Sequence, residues 1–455
     1  MKPLDIRYED YLSDESKCRG KAENISFPES VEEVSHTLKL CRGKKTPVTI
    51  QGARTGLSGG AVPNGGHILS MKHMNHIKDL KEQGSNKVLT VEAGVTLEQL
   101  ESALFHAPET REYVWIPSPT ESLATVGGVI SNNAQGINSF YYGSTEKYIQ
   151  GVKLVLPDGE VKKITKDTDS ELFSSIIGSE GTIGVIVEAD LILTKEASEC
   201  WGICFFFEEE KESWKCVDAI KQVQPKGSCH IRAVEYFDHK IMKMIMEKKR
   251  IMTKLQIIPD IEEKFFSMLY VEIEGEEMLD EMAEQLLEIT TEYGSDPDET
   301  WAFEGKQEIE KMKIFRHAAP EIIGLFFEEK KKKDDRLYKV IGDYKIKGLP
   351  FEELMTCYQD FAGKSGIQYC IFGHAASNHV LLHFLPETYA ELERAEEVLR
   401  EFEQSVESFQ IEFPGEQGVG KTKKKCFIQN EKYERLLKFK KIKDPDGILN
   451  SGNIF

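Results

Sequence analysis

The chain of 455 residues has no long apolar run and no closely spaced pair of cysteines. A membrane-spanning helix needs about 20 consecutive apolar residues, and no stretch approaches that length. The nine cysteines include no C-x-x-C pair, and the nearest two are Cys200 and Cys204. Neither an iron–sulfur site nor a zinc ribbon is therefore indicated, and we expect reduced, mostly buried thiols.

Positive charge is also scarce, because 58 Lys and Arg residues face 77 Asp and Glu residues and the formal net charge is -19. This balance disfavours nucleic acid as a partner, since the phosphates would meet no neutralising surface. The lysine-rich run 330–336 is expected to be a solvated loop or helix end. The start of the chain, MKPLDIRYEDYLSDESKC, is too acidic and polar for a signal peptide, which favours a cytoplasmic location.

The G-x-G-x-x-G fingerprint of nicotinamide-binding domains is missing as well. Residues 47–63 instead read PVTIQGARTGLSGGAVP, a glycine-rich loop after a short run typical of a strand. Glycines can adopt positive φ and approach a ligand closely, so that successive N–H groups converge on a diphosphate. The hydroxyls of Thr55 and Ser58 would add to such a site. A glycine-rich hairpin loop without a ligand is the alternative interpretation.

Two further glycine-rich stretches follow along the chain. Residues 117–143 read PSPTESLATVGGVISNNAQGINSFYYG, and residues 178–188 read GSEGTIGVIVE. Together, the three stretches resemble the flavin-binding domain of the vanillyl-alcohol-oxidase (PCMH-type) FAD oxidoreductases. The chain is similar, over nearly its whole length, to the branch of the glycolate oxidase D subunit, D-lactate dehydrogenase and D-2-hydroxyglutarate dehydrogenase.

The resemblance implies an α+β fold: a two-lobed PCMH-type FAD-binding domain, an α+β cap domain for the substrate, and a C-terminal tail that returns to the flavin domain. We expect the FAD-binding domain at residues 1–200, the cap at 201–425 and the tail at 426–455. The cap shows amphipathic helical patterns alternating with short strands, which fits this organisation.

Local patterns predict several elements directly. Ser30 and Thr96 are each predicted to be the N-cap of a helix. A hairpin is predicted to turn at residues 157–159, Pro-Asp-Gly. Strands are predicted in HILSMKHMNHI, KVLTV, SMLYVEIEG and IQYCIFGHA.

In the family, the first loop wraps the FAD pyrophosphate, the second stretch follows the phosphates and ribityl chain, and the third reaches the adenosine end. A residue in the position of Asn450 usually lies by the isoalloxazine. The resemblance implies these cofactor-binding residues: Gly52, Arg54, Thr55, Gly56, Leu57, Ser58, Gly59, Gly60, Pro117, Thr125, Gly127, Gly128, Asn132, Asn133, Gly136, Gly143, Glu180, Gly184, Ile186 and Asn450.

The first loop departs from the family in one respect and suggests a mode of attachment. Family members more often begin it with Arg-Gly-Gly-Gly-Thr, whereas this chain has its arginine at position 54. Some relatives attach FAD through a histidine in this loop, but residues 47–63 contain none. The resemblance therefore implies FAD bound without a covalent link.

Oxidation of a 2-hydroxy acid on flavin requires a cation for the carboxylate and a group that takes or polarises the hydroxyl proton. Arginine suits the first task because its fork pairs with both carboxylate oxygens. Arg316 lies where similar enzymes carry their substrate arginine. A surface helix arginine is the alternative interpretation of this residue.

Similar enzymes meet the second requirement with two histidines and a glutamate that bind a divalent metal (Zn, Mn or Fe). From residue 373 this chain reads GHAASNHVLLH, so His374 matches the first ligand and Leu381 stands at the second. His383 shares a strand face with Leu381. His383 is therefore a candidate to replace the lost metal ligand or to act as a general base. The alternative is that the metal site is absent and His383 is an ordinary strand histidine.

Residues 415–422, GEQGVGKT, match the phosphate-loop pattern G-x-x-x-x-G-K-[ST]. Only 33 residues follow Thr422, too few for the sheet and the Mg²⁺-binding aspartate of a nucleotide hydrolase. The segment instead resembles the family's Gly-Glu-His-Gly-Ile-Gly motif. On that basis Glu416 is the metal-ligand candidate, and Gln417 stands where the family has its histidine.

The resemblance thus predicts an FAD-dependent oxidoreductase that moves a hydride from a D-2-hydroxy acid to flavin N5. Electrons would pass to a protein acceptor, either an iron–sulfur subunit or an electron-transfer flavoprotein. The departures at Leu381 and Gln417 favour an alternative, a flavin-binding relay or structural subunit of a larger complex. The oligomeric state stays open, with a homodimer among the arrangements the sequence admits.

Overall fold

A computed structural model describes residues 2–84, 86–117, 119, 121–405, 410–412, 418–427 and 431–455, and gives only the backbone of 410–412 and 425–426. The chain folds into two compact units. Unit 1 comprises Met1–Gly136, Gly143–Glu196 and Phe413–Phe455. Unit 2 comprises Ile137–Tyr142 and Ala197–Glu412.

Unit 1 combines helices with parallel and antiparallel strands. Its elements are β1 (Lys2–Pro3), β2 (Asn24–Ser26), α1 (Val31–Gly43), β3 (Val48–Gln51), β4 (His67–Ser70), β5 (Ile77–Gln83), β6 (Asn86–Glu92), α2 (Leu97–His106), β7 (Tyr113–Val114), α3 (Val126–Asn132), β8 (Ile149–Val155), β9 (Val161–Thr165), α5 (Ser170–Ile176), β10 (Val185–Lys195), α12 (Lys424–Phe427) and α13 (Glu431–Lys443).

Two sheets organise unit 1. One has the order β1-β2-β4-β3, in which β2, β4 and β3 run parallel. The other is antiparallel, has the order β5-β6-β10-β8-β9, and pairs β7 with β10. After α13 the chain returns to the parallel sheet, where the N–H of Val48 donates to the carbonyl of Ile448 at 2.7 Å.

Short-range signals that the sequence carries appear in unit 1 as predicted. Ser30 caps α1 by accepting from the N–H of Glu33, and Thr96 forms a capping box with Gln99 at the start of α2. The predicted hairpin joins β8 and β9, and Gly159 in its turn has φ +80°. Local hydrogen bonds fix these elements, so the sequence alone was sufficient to predict them.

One strand prediction was wrong in extent. HILSMKHMNHI is not a single strand, because β4 ends at Ser70 and a 3₁₀ turn, Met71–His73, follows. The next strand, β5, was not predicted. Its sequence IKDLKEQ is largely exposed at the edge of the antiparallel sheet, so it lacks the apolar alternation that marks a half-buried strand.

Unit 2 is built around one antiparallel sheet. Its elements are α4 (Ser139–Tyr142), β11 (Glu199–Phe207), α6 (Glu210–Ile220), β12 (His230–Asp238), α7 (His239–Lys249), β13 (Ser267–Gly275), α8 (Leu279–Glu292), β14 (Trp301–Glu304), α9 (Lys306–Lys331), β15 (Val340–Asp343), β16 (Lys345–Lys347), α10 (Phe351–Ser365), β17 (Tyr369–His374), β18 (His379–Phe384), α11 (Tyr389–Ser405) and β19 (Gln410–Glu412).

The order of this sheet is β14-β11-β13-β12-β17-β18-β15. Successive residues of β12 point to opposite faces. The hydroxyl of Tyr236 accepts a hydrogen bond from the indole of Trp214 on α6, whereas Phe237 packs on Phe315 of α9. Helices α6 and α9 therefore cover opposite faces, and Glu235, two residues before Phe237, shares the face covered by α9.

The mixed helix-and-sheet class that the sequence predicts is confirmed by both units. Among the described residues, no helix is long and apolar enough to cross a bilayer.

Candidate active site

The first glycine loop leaves β3 at Gln51, and this residue holds the two ends of the loop together. The Gln51 side-chain amide donates to the carbonyls of Tyr11 and Ala61 at 2.8 and 2.7 Å. Between these anchors the backbone enters the left-handed region twice, at Arg54 (φ +64°) and Gly59 (φ +72°). The loop is therefore a fixed, curved backbone segment rather than a simple hairpin turn.

The second glycine stretch packs directly on the first. A Cβ on Gly52 would lie 2.3 Å from Thr125 Oγ1, so only glycine allows this approach. Thr125 is also the N-cap of α3, where its hydroxyl accepts from the N–H of Gly128 at 3.3 Å. Gly127 lies against Ala93 in the same way, since a Cβ there would be 2.7 Å from the Ala93 Cβ.

The third stretch joins the C-terminal segment through Glu180. This buried residue has φ +51°, and its carboxylate accepts from the backbone N–H groups of Val419 (2.5 Å) and Gly420 (2.7 Å). Burial raises the pKa of Glu180, and the two backbone donors oppose that rise. Asn450 connects the same region, because its side chain accepts from Ile50 N–H and donates to the Glu180 carbonyl.

Lys421, the lysine of the phosphate-loop-like segment, also lies at the first glycine loop. Its backbone N–H donates to the Ser58 carbonyl at 2.8 Å, and its ammonium donates to the Gly59 carbonyl (3.2 Å) and to Asn453 Oδ1 (2.5 Å). Burial lowers its pKa to about 8, although the charge of Asp14 opposes this change. The sequence analysis assigned this segment to the family's Gly-Glu-His-Gly-Ile-Gly motif rather than to a phosphate loop, and it gave Lys421 no role.

The cradle in unit 1 fits a flavin dinucleotide by two observations. A Cβ on Gly56 would meet no described atom within 4 Å, so the loop leaves open space there. Two residues earlier in the loop, the Arg54 guanidinium lies 4.1 Å from the centroid of the Tyr11 ring, and its buried NH1 has no hydrogen-bond partner among the described residues. Unfilled space together with an unpaired cationic donor suits a phosphate group.

Other predicted cofactor residues cap a helix or pack in the core of unit 1. Asn133 ends α3 with φ +49°, and its side chain accepts from the N–H of Glu146 at 3.1 Å. Gly184 and Ile186 lie in the core near Leu154. The other predicted residues of the three stretches belong to unit 1 with these. They are Thr55, Leu57, Gly60, Pro117, Asn132, Gly136 and Gly143.

Unit 2 gathers the predicted substrate arginine and a histidine around one carboxylate. Arg316 lies on α9 and is buried, with 8% of its surface exposed, so it is not a surface helix residue. Its Nε donates to Glu235 Oε2 at 3.4 Å, and His374 Nδ1 lies 2.5 Å from Glu235 Oε1. Among the described residues the two terminal nitrogens of Arg316 have no hydrogen-bond partner.

The charge state of Glu235 follows from this arrangement. Burial alone would raise the pKa of Glu235, but His374 and Arg316 together hold it below its ordinary value. The carboxylate is therefore ionised at neutral pH. Its negative charge engages the guanidinium of Arg316 through Nε.

His383 lies on the same sheet face but apart from this cluster. Its ring stacks on Phe372 with centroids 4.8 Å apart, and neither ring nitrogen has a hydrogen-bond partner among the described residues. Complete burial and the charge of Lys339 lower its pKa to about 3, against a smaller opposing effect of Asp343. His383 is thus a neutral imidazole in an apolar setting.

The strand register also separates the two metal-ligand candidates of unit 2. His374 pairs with His379, and His383 pairs with Cys370. Four residues along a strand correspond to roughly 13 Å, and the two rings have different neighbours, since His374 lies near His379 and His383 stacks on Phe372. His383 therefore does not replace the lost ligand beside His374.

In the part of the chain that the structure describes, no three His, Cys, Asp or Glu side chains are arranged to hold a metal ion. Glu416 and Gln417 lie outside the described residues.

A second buried charge network in unit 2 was not predicted. Arg232 donates to Glu272 at 2.8 Å and to Glu274 at 3.0 Å, and Glu274 also contacts His230 and Tyr142. The spacing of the two glutamates in SMLYVEIEG places them on one strand face. Two glutamates with this spacing in an otherwise apolar strand are the sequence signal from which the network could have been predicted.

Comparison with family models decides the relationship. A model of the FAD binding domain matches residues 22–165. A model of the C-terminal domain of FAD linked oxidases matches residues 206–454, more than half of the chain. The chain belongs to the FAD-linked oxidase family. The PCMH-type fold, the FAD cofactor and the oxidoreductase class that the sequence predicts for this FAD-linked oxidase are thereby confirmed.

Curated relatives of this FAD-linked oxidase carry related names. A D-lactate dehydrogenase of Archaeoglobus fulgidus is 29% identical over 455 aligned positions, 95% of this chain and 92% of the relative. The glycolate oxidase subunit GlcD of Bacillus subtilis is 26% identical, covering 95% and 88%. A D-lactate dehydrogenase of Anaerostipes hadrus is 32% identical over 299 positions, 63% of this chain and 60% of the relative. These names share the oxidation of a hydroxy acid.

Among solved structures, an alkyldihydroxyacetonephosphate synthase matches with a TM-score of 0.66. The match covers 94% of this chain and 75% of that chain at 17% identity. At this identity the similarity establishes the fold alone.

Gly56→Ala tests whether the cofactor occupies the open space at the first loop. We expect the Kd for FAD to rise by at least about tenfold, because the new methyl group would occupy that space. The unfolding free energy of the FAD-free protein should not change, since the methyl group meets no described atom. Flavin fluorescence titration and urea unfolding give the two quantities. Gly43→Ala, also in open space, is the matched control; equal FAD affinity in both variants would contradict the assignment.

His383→Phe tests the neutral, buried state of that ring. The folded pKa of about 3 lies below the ordinary value of 6.5, so below pH 6.5 the unfolded chain binds a proton that the folded chain excludes. Wild-type stability should fall by about 2 kcal/mol more than that of the variant between pH 7 and pH 5. Urea unfolding at both pH values measures this. His36→Phe, at an exposed position, should behave as wild type; parallel pH curves for His383→Phe would refute the prediction.

Proposed function

We propose that this chain is a dehydrogenase that oxidises a D-2-hydroxy acid by hydride transfer to FAD, with electrons passed on to a protein acceptor. The observation that carries the proposal is the unengaged guanidinium fork of buried Arg316 beside the Glu235–His374 pair. The names of the relatives support the substrate class.

Arg316 supplies what a carboxylate requires. Its burial makes an ion pair with a ligand stronger than at a surface, and its planar fork accommodates both carboxylate oxygens. Glu235 bonds only to Nε. Among the described residues no side chain bonds to the two terminal nitrogens, and these are therefore available for a substrate carboxylate. We assign Arg316 the anchoring of the substrate carboxylate.

His374 is the better candidate for the hydroxyl proton. Its Nδ1 lies 2.5 Å from Glu235 Oε1, in the same cluster as Arg316. His383, in contrast, is stacked on Phe372 and away from Arg316 and Glu235. We therefore assign proton transfer to His374 and give His383 a packing role.

The cradle of unit 1 would hold FAD through the first glycine loop, Arg54 and the region of Glu180 and Asn450. Bound FAD would supply the acceptor for the two electrons that leave the substrate. The cysteines include no C-x-x-C pair, so we place any iron–sulfur cluster that accepts the electrons on another chain. An electron-transfer flavoprotein would serve equally well as the electron acceptor. The cytoplasmic location stays a prediction.

A relay or structural subunit is the second candidate function. Leu381 occupies the position of a metal ligand in the family, and the His383 ring stacks on Phe372 rather than lying beside His374. These features favour loss of metal-assisted chemistry. A subunit of this kind would bind FAD in full but oxidise no hydroxy acid by itself.

Anaerobic titration of the holoprotein separates the two functions. We expect D-lactate, D-2-hydroxyglutarate or glycolate to bleach the flavin absorbance near 450 nm, because the hydride reduces the bound cofactor. Dithionite reduction of the same sample measures the amount of reducible flavin. Full FAD occupancy without bleaching by any of the three acids would favour the relay subunit.

Replacement of the anchor should affect the same substrate. Arg316→Met is expected to lower kcat/KM roughly 30- to 5000-fold, because a buried cation partner of the carboxylate is lost. Arg316→Lys keeps the charge but not the fork and should recover part of the loss. Steady-state kinetics with the bleaching substrate measure both. Arg400→Met, at a side chain that is 53% exposed, is the control; a change below threefold in Arg316→Met would remove the anchoring role.

A further inference from the structure

The first glycine loop is held through three successive carbonyl groups. The Ser58 carbonyl accepts from the backbone N–H of Lys421 at 2.8 Å, and the Gly59 carbonyl accepts from the Lys421 ammonium at 3.2 Å. The Gly60 carbonyl accepts from the side-chain amide of Asn453 at 2.7 Å. Two residues near the end of the chain therefore fix the orientation of three peptide units of the loop.

The fixed peptide units also set the direction of two N–H groups. A trans peptide unit is planar, and its N–H points away from its C=O. Because Lys421 binds the carbonyls of Ser58 and Gly59, the N–H groups of Gly59 and Gly60 point away from Lys421. Among the described residues, neither N–H group has a hydrogen-bond acceptor. Gly59 is buried with φ +72°, and successive N–H groups at such a bend form a concavity that binds anions.

Glycine at position 420 allows the end of the chain to approach the loop this closely. Its φ is +52°, and a Cβ there would lie 2.2 Å from the Ser58 carbonyl oxygen. The Gly420 carbonyl accepts from the Ile454 N–H at 3.0 Å, and the Lys421 ammonium donates to Asn453 Oδ1 at 2.5 Å. Lys421 and Asn453 thus support each other, and we call this pair the loop clamp.

Lys421 contacts the main chain of the loop, although lysines in its sequence motif bind nucleotide phosphates directly. Burial lowers its pKa to about 8, so the group is mainly an ammonium with three donors at pH 7. The Gly59 carbonyl and Asn453 accept two of these donors. The geometry therefore favours an indirect action of Lys421, through the loop.

We propose that the loop clamp positions the cofactor site: Lys421 and Asn453 direct the N–H groups of Gly59 and Gly60 toward the diphosphate of FAD. The donors are then oriented before the ligand arrives, which lowers the cost of ordering the loop on binding. This inference rests on the proposed placement of FAD at the first glycine loop and does not depend on the substrate.

Attachment of the end of the chain to unit 1 is the alternative role for the loop clamp. In that role the loss of Lys421 would lower the unfolding free energy, because a contact between distant segments is lost. It would change neither the FAD affinity of correctly folded molecules nor the surroundings of the FAD phosphates. The experiment must therefore measure the ligand and its phosphates, not stability alone.

Lys421→Met in the full-length chain provides the test. It retains the length of the side chain and the backbone N–H that binds Ser58, but removes the ammonium donors. We expect the Kd for FAD to rise roughly 10- to 100-fold, because the loop loses a charged donor that sets its orientation. Fluorescence titration of the FAD-free protein measures the Kd, and urea unfolding identifies the folded fraction.

Asn453→Ala removes the donor to Gly60 without changing the lysine, and its Kd for FAD should rise as well. In the double variant the rise should be smaller than the product of the single effects, because both residues act on one loop. If Lys421→Met does not fold, Asn453→Ala decides alone. A product of independent effects, or an unchanged Kd in Asn453→Ala, would contradict the loop clamp.

Lys424→Met is the matched control on the same segment. The Lys424 ammonium donates to the main-chain oxygen of Phe455 at 2.7 Å and not to the glycine loop. Its Kd for FAD should stay within about threefold of wild type. An equal loss of affinity in Lys424→Met and Lys421→Met would leave the pair with the attachment role only.

Phosphorus NMR of bound FAD reports on the diphosphate itself. At saturating FAD, we expect the two ³¹P resonances of the wild-type holoprotein to differ from those of free FAD, and to move toward the free positions in Lys421→Met. Unchanged resonances in the variant would overturn the positioning role. No substrate takes part in these measurements, so failure of all 2-hydroxy acids to bleach the flavin would overturn the proposed function alone.

Discussion

The interaction on which unit 1 most depends is the binding of two backbone N–H groups by the buried carboxylate of Glu180. Val419 and Gly420 donate to it, and Asn450 donates to its main-chain carbonyl. Removing these partners would leave a carboxylate buried without donors, which costs more than an ordinary hydrogen bond contributes. The third glycine stretch and the C-terminal segment are thereby held together, although some 240 residues separate them in the chain.

In unit 2 buried carboxylates are also compensated, but by arginine side chains rather than by backbone N–H groups. Arg232 and Arg316 offset three buried glutamates on one face of the sheet: Glu235, Glu272 and Glu274. The pKa of each of these carboxyls is held below its ordinary value despite burial, so all of them are ionised. Opposite charges in a setting of low dielectric constant restrict one another's geometry, which suits residues that must meet a ligand in one orientation.

The sequence was sufficient wherever the determinant is local. The caps at Ser30 and Thr96 and the turn at Gly159 depend on neighbours within a few residues, and the structure has them as predicted. The class and cofactor were also predictable, because the three glycine-rich stretches, in this order along the chain, resemble those of a known family of FAD oxidoreductases. The exposed strand Ile77–Gln83 was not predicted, since its edge position removes the apolar alternation.

Contacts between distant segments could not be predicted in the same way. The sequence around Glu235 does not indicate that this residue bonds to Arg316 and His374, which are 81 and 139 positions away. Lys421 stands in a motif with a different known use, and only the fold places it at the Ser58 and Gly59 carbonyls. His383 shares the predicted strand face, but the register that moves it away from His374 depends on pairing with β17.

The composition of unit 1 from three separate segments has a consequence for biosynthesis. Residues 413–455 complete a unit whose other parts precede residue 197. A ribosome adds about 5–20 residues per second, so the early glycine loop waits for roughly 20 to 70 seconds before Lys421, some 362 residues later, is translated. During that interval the nascent polypeptide lacks the two N–H groups that donate to the Glu180 carboxylate, so unit 1 completes its fold only after residues 419 and 420 have been translated.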